Sequence, residues 1–186
     1  SNTAVGALSL DACTTGNSNV AVGINSLTST QTGSNSVAVG NGALASQLGS
    51  GNMFNVAIGP DAGAAITTGT NNVAIGALAL DANTTAADNV AIGYLSLSAN
   101  TTGADNTSVG TQSLQLNVTG ASNSGFGRLT LQNNTASNNT AVGKSALQEN
   151  TSGHSGVAVG ALALDANTTG EENTAVGKNA LGANTT

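Results

Sequence analysis

One short phrase, Asn-x-Ala followed by Val or Ile and then Gly, recurs with small variations eleven times in the 186 residues of this chain. The closing glycines are Gly6, Gly23, Gly40, Gly59, Gly76, Gly93, Gly110, Gly127, Gly143, Gly160 and Gly177. They are 17 residues apart, except for one step of 19 and one of 16. A fixed period near twenty is typical of a solenoid, in which no repeat buries its apolar side alone. We therefore predict a single repeat solenoid over residues 1–186, with eleven coils and an irregular coil at 41–59.

The composition agrees with ordered repetition. Only 6% of the residues are charged, against about 25% in ordinary globular chains, and the chain has no Trp. The net charge of −6 comes from nine acids and three bases, which argues against binding to nucleic acid or to an anionic membrane surface. A single cysteine, Cys13, excludes an internal disulfide framework. No signal peptide and no apolar run of about 18 residues is present, so we predict no membrane insertion. Because the chain begins and ends within a repeat, we expect it to be a segment of something longer.

The residues before each closing glycine alternate with period two. We number positions from that glycine, which is position 0. Position −1 is Val, Ile or Phe in all eleven coils, and position −3 is Val or Thr in ten. Position −2 is Ala in nine coils, and position −4 is Asn in nine. This alternation predicts a short strand in each coil, with −3 and −1 on one face and −4 and −2 on the other. We expect the Val and Ile columns to face the interior, together with the column of Leu that follows the glycine at +4.

Past the glycine, position +3 is small in every coil and position +4 is Leu in ten, so we expect a second short strand there. A polar corner follows, often Asn-Thr-Thr-Gly. Parallel pairing of coils about 4.8 Å apart gives an all-β parallel β-solenoid, a rod roughly 50 Å long. Position +7 is Asn in seven successive coils, and stacked amides of this kind form hydrogen-bonded ladders. These residues are Asn83, Asn100, Asn117, Asn134, Asn150, Asn167 and Asn184.

Two coils depart from the period. Two extra residues lie between Gly40 and Gly59, where we expect a bulged loop with Met53 and Phe54 either capping a gap or exposed to a partner. Pro60 and Gly63 follow this loop. One residue is missing in the coil that ends at Gly143, and we expect a shortened corner to absorb the loss.

The small residues at −2 and +3 suggest contacts between chains. We infer that the Ala row at −2 faces outward and packs against neighbouring chains, because small side chains suit the close approach of another surface, as in a parallel bundle of rods. The terminal coils carry no polar capping sequence, which favours continuation into other segments or end-to-end assembly.

Phrases such as Asn72-Val-Ala-Ile-Gly76 and Asn139-Thr-Ala-Val-Gly143 resemble the head repeats of trimeric autotransporter adhesins (YadA-like). The variant with the Asn-Thr-Thr-Gly corner is similar to repeats in phage tail fibres. The resemblance covers essentially the whole chain, and it implies a left-handed β-roll assembled as a trimeric prism. The period is longer than that of the adhesins, and no coiled-coil neck, stalk heptads or membrane anchor is present, which favours a fibre.

No catalytic set is evident, so we predict a non-enzymatic protein without catalytic, cofactor-binding or metal-binding residues. His154 is the only histidine, and one His and one Cys are too few for a zinc site. Asp81 and Asp165 share position +5 but are five coils apart, roughly 24 Å, which is too far for paired carboxylate chemistry. The other candidate carboxylates, Asp11 and Glu171–Glu172, are interpreted as solvated turn residues. Neither a calcium-solenoid motif nor a phosphate loop is found.

The leading hypothesis is a structural role as a rigid segment of an extracellular or phage tail fibre or filament, at a cell or virion surface. The expected partners are copies of the same chain, as a homotrimer or an end-to-end filament. Adhesion to a host-surface glycan or protein is a further role that the resemblance implies. The alternative is an ice-binding solenoid, because Thr occupies +8 in eight coils and +9 in eight.

Overall fold

The computed structural model describes all 186 residues as an all-β structure with thirteen strands and no helix. Eleven strands, one in each coil, form one parallel sheet in chain order, so the predicted parallel β-solenoid is confirmed. They are β1 (Thr3–Val5), β2 (Val20–Val22), β4 (Val37–Val39), β6 (Val56–Ile58), β7 (Val73–Ile75), β8 (Val90–Ile92), β9 (Thr107–Val109), β10 (Ser124–Phe126), β11 (Thr140–Val142), β12 (Val157–Val159) and β13 (Thr174–Val176). A separate two-stranded parallel sheet joins β3 (Gly33–Ser34) and β5 (Gly51–Asn52).

The strands pair in strict register, so that like positions stack on like. Ala74 pairs with Ala91, and Ile75 pairs with Ile92. Each strand covers positions −3 to −1, as the alternation predicts. We number the coils one to eleven by their closing glycines, from Gly6 to Gly177.

The structure contains no helix of the length and hydrophobicity needed to cross a membrane.

The direction in which the strands face is opposite to the sequence prediction. The Ala column at −2 is buried, with Ala21, Ala57 and Ala91 all 0% exposed. The columns at −3 and −1 point outward, and Ile92 is 36% and Phe126 is 42% exposed. The proposed outward Ala row is therefore wrong, and so is the Val and Ile interior. The outer surface of the sheet instead carries an unbroken apolar column at −1 beside a mixed column of Val, Thr and Ser at −3.

The width of the coil explains this reversal. Leucines at +4 reach from the opposite wall and fill the interior, where eight of the ten are at most 1% exposed. In coil eight Gly125 occupies position −2, and a Cβ built there would lie 3.5 Å from Cδ1 of Leu114 in the preceding coil. Only a small side chain, Ala in nine coils and Ser108 in one, fits between the strand and the leucine column, because interiors are packed without spare volume.

The predicted second strand at +3 and +4 is also wrong. This segment forms successive turns, because the residues at +2 and +4 have positive φ in every coil, 53–70° at +2 and 49–58° at +4. The N–H at +3 donates to the carbonyl of the closing glycine over 3.2–3.5 Å, and negative φ at +1 followed by positive φ at +2 is the type II pattern. Pro60 at +1 suits the fixed φ of that position. The N–H at +4 then donates to the +3 carbonyl of the next coil over 2.9–3.1 Å.

The irregular coils keep the interior filled. In coil four Gly63 replaces the leucine at +4, and Ile66 occupies the +7 slot. A Cβ on Gly63 would lie 3.0 Å from Cδ1 of Ile66, so the isoleucine fills the space that the missing leucine leaves. Met53 is 1% exposed and caps the gap beside the extra residues, whereas Phe54 is 52% exposed. Between Gly127 and Gly143 the position lost is +9, because Ala136 stacks on Gly120 in the place that other coils give to the residue at +10. The predicted shortened corner is therefore confirmed.

Candidate functional site

The molecule has no pocket, and no three His, Cys, Asp or Glu residues are grouped for metal binding. The candidate carboxylates are scattered over its surface. Asp11 accepts a hydrogen bond from Thr28 over 2.8 Å, and Glu171 pairs with the exposed His154 over 3.2 Å. Asp165 is half-buried on the +5 column. The structure therefore brings none of these residues together, and the candidate functional features are its continuous surfaces.

Asp81 is the one carboxyl group whose environment opposes ionisation. Burial raises its pKa above the usual range, backbone hydrogen bonds partly offset this, and the negative charge of Asp61 raises the pKa a little further. Its Oδ1 has no hydrogen-bond partner. The arrangement is therefore a local cost to the fold, because a partly buried carboxyl group lies near a second carboxylate and one of its oxygens has no partner.

The outward side of the eleven-stranded sheet is the largest uniform surface. We call positions −3 and −1 of all coils the strand face. Every −1 side chain is partly or fully exposed, and all are Val, Ile or Phe. The two rows are about 7 Å apart and roughly 50 Å long, so they span at least about 350 Å². The −1 row is wholly apolar and the −3 row mixes Val with Thr and Ser. The area is that of the largest apolar patch on a typical monomer, and such a patch is often functional.

A ladder of buried asparagines at −4 lies behind this face, and it links each coil to the next. Oδ1 of Asn72 accepts from the backbone N–H of Asn89 over 3.1 Å, and Oδ1 of Asn89 accepts from that of Asn106 over 3.0 Å. The amide nitrogens donate to corner carbonyls one coil further on, as from Asn106 to Gly120 over 2.9 Å. Each side chain thus satisfies a buried backbone donor that would otherwise be unpaired. The regular spacing of the asparagines at −4 is visible in the sequence, but a ladder was predicted only at +7.

The predicted ladder at +7 is present, with one interruption. Asn100 donates to Asn83 over 3.2 Å, and Asn167 donates to Asn150 over 2.9 Å. No bond links Asn117 to Asn134, where the corner is one residue short, and Oδ1 of Asn117 is buried without a partner. Half-buried glutamines at +5 form a further ladder that sequence reasoning missed, with 3.1 Å from Gln132 to Gln115 and from Gln148 to Gln132.

The −4 ladder is incomplete where Gly156 replaces asparagine in coil ten, because the N–H of Asn173 in the next coil has no partner. We expect Gly156→Asn to raise the free energy of unfolding by about 1 kcal/mol, since it supplies that acceptor and stiffens the unfolded backbone. The new Cβ would lie 3.2 Å from Oδ1 of Asn139, within reach of a small adjustment. Urea unfolding would measure the gain, with Gly156→Ala as the control for the backbone term. An asparagine variant no more stable than the alanine variant would contradict the ladder account.

Threonines line one corner in two different ways. At +8 the hydroxyl donates to the carbonyl of the next coil, as from Thr67 to Thr84 over 2.9 Å and from Thr151 to Thr168 over 2.9 Å. At +9 the threonines are exposed, and their hydroxyls make no hydrogen bond within the chain. The +8 column therefore stabilises the rod, and only the +9 column presents free hydroxyls to solvent.

These features define the chain as a β-solenoid repeat protein. The solvent-facing side of its sheet carries an unbroken apolar column at −1, and its buried polar side chains serve the stacking of coils. Comparison with protein-family models, curated proteins and solved structures gives no match to any of them. The resemblance to adhesin heads and tail-fibre repeats therefore stays a prediction.

Proposed function

We propose that this protein is a rigid, non-enzymatic segment of an extracellular or virion-borne fibre, and that copies of the chain associate side by side through the strand face, as a homotrimer. The observation that carries the proposal is the uninterrupted apolar column at −1. A chain that relies on Asn, Ser and Thr for solubility places Val, Ile and Phe outward in all eleven coils, and association would remove them from water. Burial of apolar surface contributes about 25 cal/mol per Å².

The backbone supports a rod-like role. Hydrogen bonds run from coil to coil along the strands, the turns and the asparagine ladders, so that bending the rod would strain several ladders at once. Adhesion to a host-surface glycan or protein is the extension that the family resemblance suggests. Side-by-side trimers and end-to-end filaments are both compatible with a fibre, and the mass of the assembly distinguishes them.

The test is the mass in solution by light scattering, with negative-stain microscopy of the same sample. We expect short rods with a mass about three times the 17.7 kDa of one chain. Ile92→Lys should reduce the mass to that of a monomer, because it places a charge in the centre of the strand face without entering the core. Val118→Lys is the matched control, since Val118 is 41% exposed at the Thr corner, away from that face. A wild-type monomer, or unchanged mass in Ile92→Lys, would overturn the proposal.

Ice binding is the second candidate, and the exposed +9 threonines favour it. Eight of eleven coils carry Thr at +9, with a spacing of about 4.8 Å along the rod. The column is interrupted at Gly49 and in coil eight, where +9 is lost, and Ser152 replaces threonine in coil nine. The neighbouring +8 hydroxyls donate to backbone carbonyls. A thermal-hysteresis measurement on the wild-type protein decides this candidate, with Thr85→Lys and Thr102→Lys expected to abolish any activity.

A further inference from the structure

All three basic residues of the chain occupy one register position. Arg128, Lys144 and Lys178 lie at +1 in coils eight, nine and eleven, immediately after the closing glycine, and all three are exposed. We call this column the basic edge, because it borders the strand face along the side where each strand ends. None of the three forms an ion pair within the chain, whose one ion pair joins His154 and Glu171.

Four carboxylates border the opposite side of the strand face, where each strand begins. This acidic edge consists of Asp88 and Asp105 at −5 in coils six and seven, and of Glu171 and Glu172 at −6 and −5 in coil eleven. Asp105 and Glu172 are exposed, and their carboxylates make no hydrogen bond within the chain. The other five carboxylates lie at +2, +5 and +6, and the strand face itself carries no charge.

We propose that these two edges align the copies of the chain, with the basic edge of one copy against the acidic edge of the next and all rods parallel. This inference rests on the side-by-side association proposed above, and it adds the orientation and the contacts. In a closed ring of parallel rods, the end of one strand face adjoins the beginning of the next, so opposite edges meet. Lys178 and Glu172 are then level, and Arg128 is one coil, about 4.8 Å, from the level of Asp105.

An antiparallel arrangement lacks this match. A twofold axis along the strands would place each basic edge on the basic edge of the partner, with coils eight, nine and eleven opposite coils four, three and one. The cations would then face the uncharged Pro60, Asn41 and Ala7. Only the parallel arrangement gives Lys178 and Arg128 carboxylate partners, whereas Lys144 in coil nine has no carboxylate within one coil of its level. Electrostatic complementarity of this kind selects orientation more than it adds affinity.

Charge reversal tests the proposal. We expect Lys178→Glu and Glu172→Lys each to raise the dissociation constant of the assembly about fivefold per contact at low salt. The double variant Glu172→Lys/Lys178→Glu restores the pairing and should return to within about twofold of wild type. Concentration-dependent light scattering at about 50 mM and about 500 mM NaCl measures these constants, and the differences should shrink at the higher salt because exposed pairs are screened.

Glu149→Lys is the matched control. Like Glu172→Lys it changes the net charge by two units, from −6 to −4, but Glu149 lies at +6, away from the strand face. A general charge effect would make both variants assemble more tightly, whereas loss of the edge contact would weaken the assembly of Glu172→Lys alone. Unchanged assembly in both single reversals, or a double variant without recovery, would overturn this inference and leave the proposed function standing, provided that Ile92→Lys still dissociates. Loss of all assembly in the wild-type chain would overturn both.

Discussion

Asn106→Leu should lower the free energy of unfolding by about 3–5 kcal/mol, although the two side chains are similar in size. Asn106 is 0% exposed, and its amide takes part in contacts with three residues. Oδ1 accepts from the backbone N–H of Asn123 over 3.0 Å and from its side chain over 3.1 Å. Nδ2 donates to the carbonyl of Gly120 over 2.9 Å and to Oδ1 of Asn89 over 3.2 Å. Leucine leaves a buried backbone donor in the next coil without a partner, and each such group costs about 1–3 kcal/mol.

The measurement is urea unfolding at one protein concentration, with the assembly state of each sample verified. Asn41→Leu is the control, because Asn41 is exposed at +1 and its side chain makes no hydrogen bond. The control should change stability by less than about 0.5 kcal/mol. Equal effects of the two substitutions would show that the −4 asparagines do not stabilise the stacking of coils.

Gly93→Ala should have an effect of similar size, about 3–5 kcal/mol, for a different reason. Gly93 closes coil six with φ +131°, a region that side-chain-bearing residues rarely occupy. A Cβ at this position would lie 2.7 Å from the carbonyl carbon of Gly110 in the next coil, where no flexible side chain is available to move. The same conformation recurs at all eleven closing glycines, with φ between +125° and +140°.

Gly125→Ala provides the comparison within the same repeat. Gly125 has no positive φ, and its nearest contact is the movable hydroxyl of Ser113 at 2.8 Å. Nine other coils already have Ala at this position, so we expect a change within about 1 kcal/mol. Urea unfolding of the two variants compares them directly, and a destabilisation of Gly125→Ala as large as that of Gly93→Ala would contradict the close-approach argument.

The strands and their register follow from the sequence, since eleven copies of one alternating phrase leave little choice of pairing. Alternation separates the two faces of a strand without identifying the buried one. Side-chain size favours burial of Val and Ile at −1 and exposure of Ala at −2, and the structure shows the reverse. The +4 leucines, such as Leu114, extend across the narrow coil and leave room only for small side chains at −2. This constraint depends on how the opposite sides of the coil face each other, which the strand pattern alone does not specify.

The turns at +2 and +4 were not predicted, because they too depend on contacts between coils. Leucine is not a residue that suggests positive φ, because a left-handed conformation costs about 1–2 kcal/mol for a residue with a Cβ. Leu97 nevertheless has φ 54°, and its N–H donates to Ser113 in the next coil over 3.0 Å. Local preference is overridden by hydrogen bonds to neighbouring coils. The ladder at −4 was available in principle, since nine asparagines in one column are as regular as the seven that predicted the ladder at +7.

The coil-to-coil bonding of the asparagines has a consequence for size. Each coil supplies hydrogen-bond acceptors to the coil that follows it through the same few groups, so gain or loss of a whole repeat preserves these contacts, whereas a change of one or two residues disturbs them locally. A missing single residue already orphans Oδ1 of Asn117. Addition or removal of one 17-residue unit would change the length by about 4.8 Å and leave every other contact alike. The length of the rod is thereby set by the number of repeats, in steps of one strand spacing.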